Sequence, residues 1–230
     1  MEKYKNLLIS KDKKSPAIQH EGKIYYRYMD KIYLPQKAEE LSTEDVIALS
    51  EARTALDKEV IDCEYSKKVI SKLVDMAGSF STIVDFGCGN GLIFEVFKEK
   101  KINPKMFYGL DLSEDSLNKA KNKGRKYHAD FVLFDKDSSL SIETESVEAI
   151  VSSFVMHFPV SENQIVELYR ILKTNGVFVY NDFNFKKSST TTIKTITKLK
   201  KAGFIVEMKE FSFLQDNVEK KHKFIIAKKV

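Results

Sequence analysis

One stretch, residues 81–91 with the sequence STIVDFGCGNG, constrains the fold more than any other part of the chain. Residues 81–86 form a short, β-branched, largely apolar run closed by glycine, the pattern of a buried strand. Gly87, Gly89 and Gly91 then free the backbone for a tight turn and let a ligand come up against the main chain. Residues 92–101 have helical apolar spacing and stop ahead of Asn103-Pro104. A nicotinamide-dinucleotide fingerprint would read G-x-G-x-x-G/A. Here Gly91 comes one place early, and Leu92 stands where the third glycine belongs. Asp85, just before the first glycine, is poorly placed for a pyrophosphate but suits a ligand that carries an amino group.

Downstream, short apolar runs alternate with helical patterns. Strands are expected at residues 106–111, 126–129, 147–154, 177–180, 204–211 and 221–228. Ser113 is placed to cap the helix after the second strand and Gly124 to end it. Ser161-Glu162-Asn163-Gln164 has the capping-box pattern, with Ile165, Leu168 and Leu172 as the apolar stripe, and Asn175-Gly176 ends that helix. A further helix over 188–202 stops at Gly203. With the strand at 81–86 this makes seven strands. The alternation implies a three-layer α/β fold, a mainly parallel sheet covered by helices on both faces. The last two strands have no helix between them and are expected to pair as an antiparallel hairpin at one end of the sheet.

Residues 1–65 read differently, as an N-terminal cap or lid on a domain spanning 66–230. A tyrosine-rich hairpin is expected over 21–35, turning near Met29-Asp30. Ser42 is placed to cap a helix through about Asp62, and a second helix over 66–77 stops at Gly78. In a chain of 230 residues, 43% hydrophobic and 31% charged, this is one globular domain with an extension. Thirty-eight basic against thirty-three acidic residues give a net charge of only +5, scattered along the chain, which argues against a nucleic-acid track. Cys63 and Cys88 have no metal or redox spacing, and none of the four histidines is paired at a ligand spacing, so no metal is expected. The short apolar core at Leu7-Leu8-Ile9 does not make a signal peptide, and no apolar run is long enough to span a bilayer. A reducing, cytoplasmic setting fits these features.

Taken in order, the motifs resemble those of the class I, Rossmann-like, S-adenosylmethionine-dependent methyltransferases over residues 66–230. The resemblance implies a seven-stranded sheet with the last strand antiparallel. It assigns Asp85, Gly87, Cys88, Gly89, Asn90 and Gly91 to the amino-acid end of the cofactor. Asp111, ending the second strand, resembles the family's ribose-binding acid, with Leu112 over one face of the adenine. His128-Ala129-Asp130-Phe131 resembles the third-strand motif, in which Asp130 accepts from the adenine amino group and Phe131 lies against the ring. Ser152 and Ser153 fall where the family lines the cofactor and acceptor pocket. The implied cofactor is S-adenosyl-L-methionine, the product S-adenosyl-L-homocysteine, and the reaction a direct in-line displacement. The protein's task is then mainly to position and desolvate.

Candidates on the acceptor side are weaker signals. His157, just past the fourth strand, has the intrinsic pKa of a general base. Tyr25 and Tyr26, with Tyr28, suit an aromatic lid. Arg53 suits a substrate carboxylate, Asp182 follows the fifth strand, and Tyr65 precedes the core. The family's Asn/Asp-Pro-Pro-aromatic signature for DNA amino groups is replaced here by Ser152-Ser153-Phe154-Val155, and no proline precedes a cysteine. A small-molecule acceptor closed in by residues 1–65 is the expectation; the acceptor atom and the oligomeric state are not legible. The competing readings are a non-catalytic module that binds S-adenosylmethionine or its product, and a nicotinamide-dependent oxidoreductase, against which the glycine spacing argues. Transfer of an aminopropyl group lacks the acidic cluster that a polyamine would need.

Overall fold

Ahead of the glycine turn the chain builds a sheet of its own. The computed structural model describes residues 2–4, 6–10, 15–29, 32–56, 63–135, 137–183, 189–215 and 217–230. Strands β1 (Glu2–Tyr4), β2 (Leu7–Ile9), β3 (Ala17–His20), β4 (Lys23–Met29) and β5 (Ile32–Leu34) pair antiparallel in the order β1-β2-β5-β4-β3. The expected hairpin over 21–35 corresponds to β4 and β5, with Asp30 outside the described residues. A second hairpin joins β3 to β4 through Glu21 and Gly22, both at left-handed φ of 48° and 75°. That geometry matches the twist of a two-residue hairpin.

Helix α1 (Thr43–Leu56) follows. Ser42 caps it as expected: its hydroxyl accepts from the Asp45 N–H at 3.1 Å, and the Asp45 carboxylate accepts from the Ser42 N–H at 3.3 Å. The rest of that expected helix, residues 57–62, lies outside the described residues. Leu7, Ile32 and Leu34 of the small sheet, Ala48, Leu49 and Ala52 of α1, and Phe158 of the main domain share one apolar cluster. Burial of that cluster is what docks the N-terminal part onto the core. Helix α2 (Cys63–Ala77) starts earlier than expected and buries Tyr65, Val69, Ile70, Leu73, Val74 and Ala77. The expected boundary at 65/66 thus falls in its first turn.

The main sheet holds β6 (Thr82–Phe86), β7 (Met106–Asp111), β8 (Ala129–Leu133), β9 (Val147–Ser152), β10 (Leu172–Phe183), β11 (Ile205–Gln215) and β12 (Val218–Lys228). Their order is β11-β12-β10-β9-β6-β7-β8. All pairs are parallel except those made by β12, which runs against both β10 and β11. The expected hairpin is therefore present, and it inserts its second strand next to β10. Helices α3 (Ile93–Lys100), α4 (Glu114–Gly124), α5 (Glu162–Ile171) and α6 (Ser189–Ala202) cover the faces with α2. Alternation along β6 sends Val84 and Phe86 to one apolar cluster and Ile83 to the other.

The five strands after β7 differ in their boundaries from expectation, among them β11, which runs on to Gln215, and β12, which starts at Val218. Strand β8 begins at Ala129, where the sequence pattern suggests it ends. Strand β9 stops at Ser152, so Phe154 belongs to the following loop. Strand β10 begins directly after α5, at Leu172, with a register shift before Val177. The Ser161 capping box closes both ways: Ser161 Oγ accepts from the Gln164 N–H at 3.1 Å, and Gln164 Oε1 accepts from the Ser161 N–H at 3.0 Å. Ser161→Ala is expected to lower stability by about 1 kcal/mol, read as a lower urea midpoint at unchanged slope.

Candidate functional site

Between β6 and β9 the order of the strands reverses, since β7 and β8 build outward on one side and β10 on the other. Crevices at the carboxyl ends of strands form at such a point. The pocket found there is bounded by the glycine loop on the floor, Asp111 and Leu112 at the end of β7, and the loop after β9; α1 forms its far wall. The first helix of the N-terminal part is therefore a structural wall of the site. Ser50 and Thr54 of α1 hydrogen-bond to Ser116 Oγ at 3.0 and 2.8 Å, and Ser50 Oγ reaches Asp111 Oδ1 at 3.5 Å. Lys119 donates to the carbonyl of Thr54.

Two glycines of the loop are needed for distinct reasons. Gly87 has φ of 77°, and a side chain there would collide with Val155 across the pocket. Gly89 has φ of 52° and faces open space, so a side chain there would project into the pocket itself. Gly91 serves packing: a Cβ would press on Ala120 of α4 and on Phe94. Its place is behind the pocket wall.

The floor is acidic and buried. Asp111 Oδ2 accepts from the Gly89 N–H at 2.8 Å, and Oδ1 from the Ser113 N–H at 2.9 Å. These bonds tie the glycine loop to the end of β7. Burial raises the Asp111 pKa while the backbone donors pull it back. Asp85 has no such support; burial first and the nearby Asp111 charge second push it up to about 8. Burial also raises the Cys88 thiol, with both carboxylates adding to the effect, so the sulfur stays protonated and unreactive.

Of the residues expected at the site, the pocket brings together Asp85, Gly87, Cys88, Gly89, Asn90, Asp111, Leu112, Ser153 and Arg53. Others lie elsewhere. Asp130 pairs with Tyr108 in mid-strand, while Leu133 is the residue beside Asp111. Three residues at about 3.3 Å each put Asp130 roughly 10 Å short of the strand ends. It is exposed and accepts from the N–H of Phe131. Phe131 packs against Phe94 and Phe107 behind the sheet. The position at the end of β8 belongs to Phe134, which lines the pocket, followed by Asp135. The run Phe131-Val132-Leu133-Phe134 was the available signal: it is the apolar part of this segment. Ser152 is buried beneath the lining.

His157 is also displaced from the role expected of it. Its Nε2 shares a 2.8 Å hydrogen bond with the Tyr28 hydroxyl, and its ring stacks on Tyr28 and packs on Phe158. Burial, with help from the Arg53 charge, lowers its pKa to about 3. A ring so reluctant to take a proton is a poor general base. It anchors β4 to the loop after β9. Tyr28 is the tyrosine that reaches the core; Tyr25 is buried within the small sheet, and Tyr26 is exposed. Asp182 is buried and accepts from Thr192 of α6, away from the pocket. Tyr65 bonds to His222 Nε2, whose Nδ1 meets Asn181 Nδ2 at 3.1 Å; Asn181 Oδ1 accepts from the Phe154 N–H at 2.9 Å. Because the Asn181 oxygen is committed to that N–H, its amide donates to Nδ1, and His222 carries its proton on Nε2. This chain of contacts holds Phe154, a bulky residue at φ of 59°, in the pocket lining.

Among the described residues no group of three or more His, Cys, Asp or Glu could hold a metal ion, and no helix is long and apolar enough to cross a membrane. Residues 84–180 match the methyltransferase domain family. A carboxy-S-adenosyl-L-methionine synthase of Nautilia profundicola is 25% identical over 125 residues, 51% of this chain and 53% of that protein. A tRNA N(3)-methylcytidine methyltransferase of Schizosaccharomyces pombe is 31% identical over 126 residues, 50% of this chain and 40% of that one. The chain spans about half the length of the curated relatives it matches. Among solved structures, a TehB-like S-adenosylmethionine-dependent methyltransferase of Corynebacterium glutamicum superposes with a TM-score of 0.55 at 20% identity, over 82% of this chain and 98% of that one. At that identity the likeness is one of fold. Motif order, strand order and the match over residues 84–180 agree: this part of the chain is similar to the methyltransferase domain family, on a Rossmann-like seven-stranded fold.

Proposed function

We propose that the protein methylates a small-molecule acceptor enclosed between the glycine loop and α1. The observation that carries this reading is the pocket itself: one side is the acidic floor of the family, the other a helix from the N-terminal part. The residues present fit the cofactor. Asp85 is a buried carboxyl held up to about 8 by its surroundings, and a ligand ammonium would relieve it. Gly89 leaves its face of the loop bare. Asp111 Oδ2 accepts from the Gly89 N–H and Oδ1 from the Ser113 N–H, with the Ser50 hydroxyl at 3.5 Å from Oδ1; a carboxylate has about four lone-pair sites, so capacity remains for ribose hydroxyls. When bound, the cofactor supplies an activated methyl group that an acceptor takes by direct displacement. The chain's own work is to hold, align and keep water out. The apolar lining from Leu41, Val46, Leu49 and Phe158 serves the last of these.

Calorimetric titration with S-adenosylhomocysteine, with NADH as control, tests the cofactor; label transfer from methyl-labelled S-adenosylmethionine to a small-molecule panel, with tRNA as a separate arm, tests the acceptor. One-to-one binding of the former ligand alone and label in small molecules are expected. Label in tRNA would overturn the small acceptor, and binding without transfer in either arm would favour a non-catalytic module.

The titration state of Asp85 gives a sharper check. With its pKa near 8, about nine-tenths of Asp85 is protonated at pH 7. A ligand ammonium lowers that pKa, so binding releases close to one proton. Apparent affinity is expected to rise with pH up to about 8 and then level off. The binding enthalpy at pH 7 should differ between phosphate and Tris by nearly the difference in their ionisation enthalpies; equal enthalpies would remove Asp85 from the ammonium site. Without ligand the sign is opposite. The folded pKa lies above the unfolded one, so stability falls as pH rises from about 4 to about 8.

A further inference from the structure

Arg53 is the pocket's own cation: among the described residues no lysine lines it. Its Nε is buried and has no hydrogen-bond partner among the described residues. A guanidinium nitrogen hidden from water without an acceptor is costly, and at a pocket wall a ligand anion can supply that acceptor. Tyr28 and His157, the neighbours that feel its charge, are bonded to each other.

Its position along the pocket follows from α1. Ser50 lies three residues earlier, on the same face, and points at Asp111. Arg53 is therefore one turn further along, toward the loop after β9. The electrostatics agree: its charge acts on Asp111, Tyr28 and His157, whereas Asp85 responds only to burial and to Asp111. The arginine thus sits beyond Asp111 from the Asp85 end.

We infer that Arg53 receives the carboxylate of the methyl acceptor, and that the acceptor is a small apolar monoanion. A planar guanidinium matches a carboxylate with paired donors, and one cation balances one negative charge. A phosphate dianion would call for a second cation. The remaining walls, including Val46, Leu49, Phe134, Phe158 and Val160, are apolar and suit a hydrocarbon or aromatic body. This inference rests on the proposed cofactor site, because the acceptor occupies what the cofactor leaves.

The same carboxylate chemistry is present at the amino-acid end of the cofactor, and the test separates the two sources. Wild-type protein, Arg53→Gln and Arg53→Lys are each titrated with S-adenosylhomocysteine, then, at saturation, with benzoate or with uncharged benzamide. For the wild-type complex, benzoate is expected to bind at least tenfold more tightly than benzamide. Arg53→Gln should erase that preference while keeping the affinity for S-adenosylhomocysteine within twofold; Arg53→Lys, with the charge but not the fork, should keep part of it and shows that the site still folds. Equal binding of benzoate and benzamide to the wild-type complex overturns the inference alone. A tenfold or greater loss of S-adenosylhomocysteine affinity in Arg53→Gln, with wild-type-like melting, assigns the arginine to the cofactor and also overturns it. Failure of the wild type to bind S-adenosylhomocysteine would sink the cofactor reading, and this one with it.

Discussion

Asp111→Ala is expected to weaken S-adenosylhomocysteine binding by at least a hundredfold. Two hydrogen bonds from ribose hydroxyls to a charged acceptor are lost, each worth about 1.5–3 kcal/mol. A second effect adds to this. Asp111 accepts from Gly89 and Ser113, so its removal frees the glycine loop that faces the ligand. Asp111→Asn separates the two. An amide oxygen still accepts from one of these N–H groups, so much of the loop anchoring survives while the charge is gone. Along the series wild type, Asn, Ala the dissociation constant is expected to rise and the melting temperature of the unligated protein to fall. An unchanged dissociation constant in folded Asp111→Ala would remove the carboxylate from the site.

Gly87→Ala is expected to be the most damaging small substitution in the loop. The left-handed backbone at φ of 77° alone costs a non-glycine residue about 1–2 kcal/mol. Collision of the new Cβ with Val155 adds about 1–3 kcal/mol of overpacking. Together they predict a loss of about 2–5 kcal/mol in urea unfolding. Val155→Ala in the same chain should recover the packing part and leave the backbone part. A double-mutant cycle therefore reads a favourable coupling between positions 87 and 155. Strict additivity would mean that the two do not touch. Gly89→Ala is the contrasting case. Its Cβ meets nothing within 4 Å, so only the backbone cost applies to stability, and the new methyl stands in the pocket.

Much of the main sheet was legible because its signals are local. Residues 81–91 specify a strand, a turn and a helix start through β-branching and glycine, and the structure places those elements at Thr82–Phe86 and Ile93–Lys100. Ser113 and the Ser161 capping box declare helix starts through side chains that bond within three residues. Strand β7 is continuous and apolar, and its limits match expectation. Strand β8 did not declare its limits. It is an edge strand, only partly buried, so no strong apolar alternation marks its start. That slip moved the third-strand acid from the pocket rim to mid-strand at Asp130.

The sequence by itself determined the fold class, the glycine turn and the two acids at the ends of β6 and β7, because each follows from residues within about ten positions of one another. Only the tertiary structure decided which other side chains meet there. Tyr28 and His157 are 129 residues apart and Tyr65 and His222 are 157 apart. No periodicity announces such a pair. The same holds for the wall made by α1: Ser50, Arg53 and Thr54 look like an ordinary polar stretch until burial of Leu49 and Ala52 against the small sheet turns them toward Asp111 and Ser116. Burial also set the chemistry. A histidine of ordinary intrinsic pKa becomes a nearly unprotonatable one, and an ordinary aspartate becomes an acid near neutrality, because charge is expensive away from water. Those environments exist only once distant segments have packed.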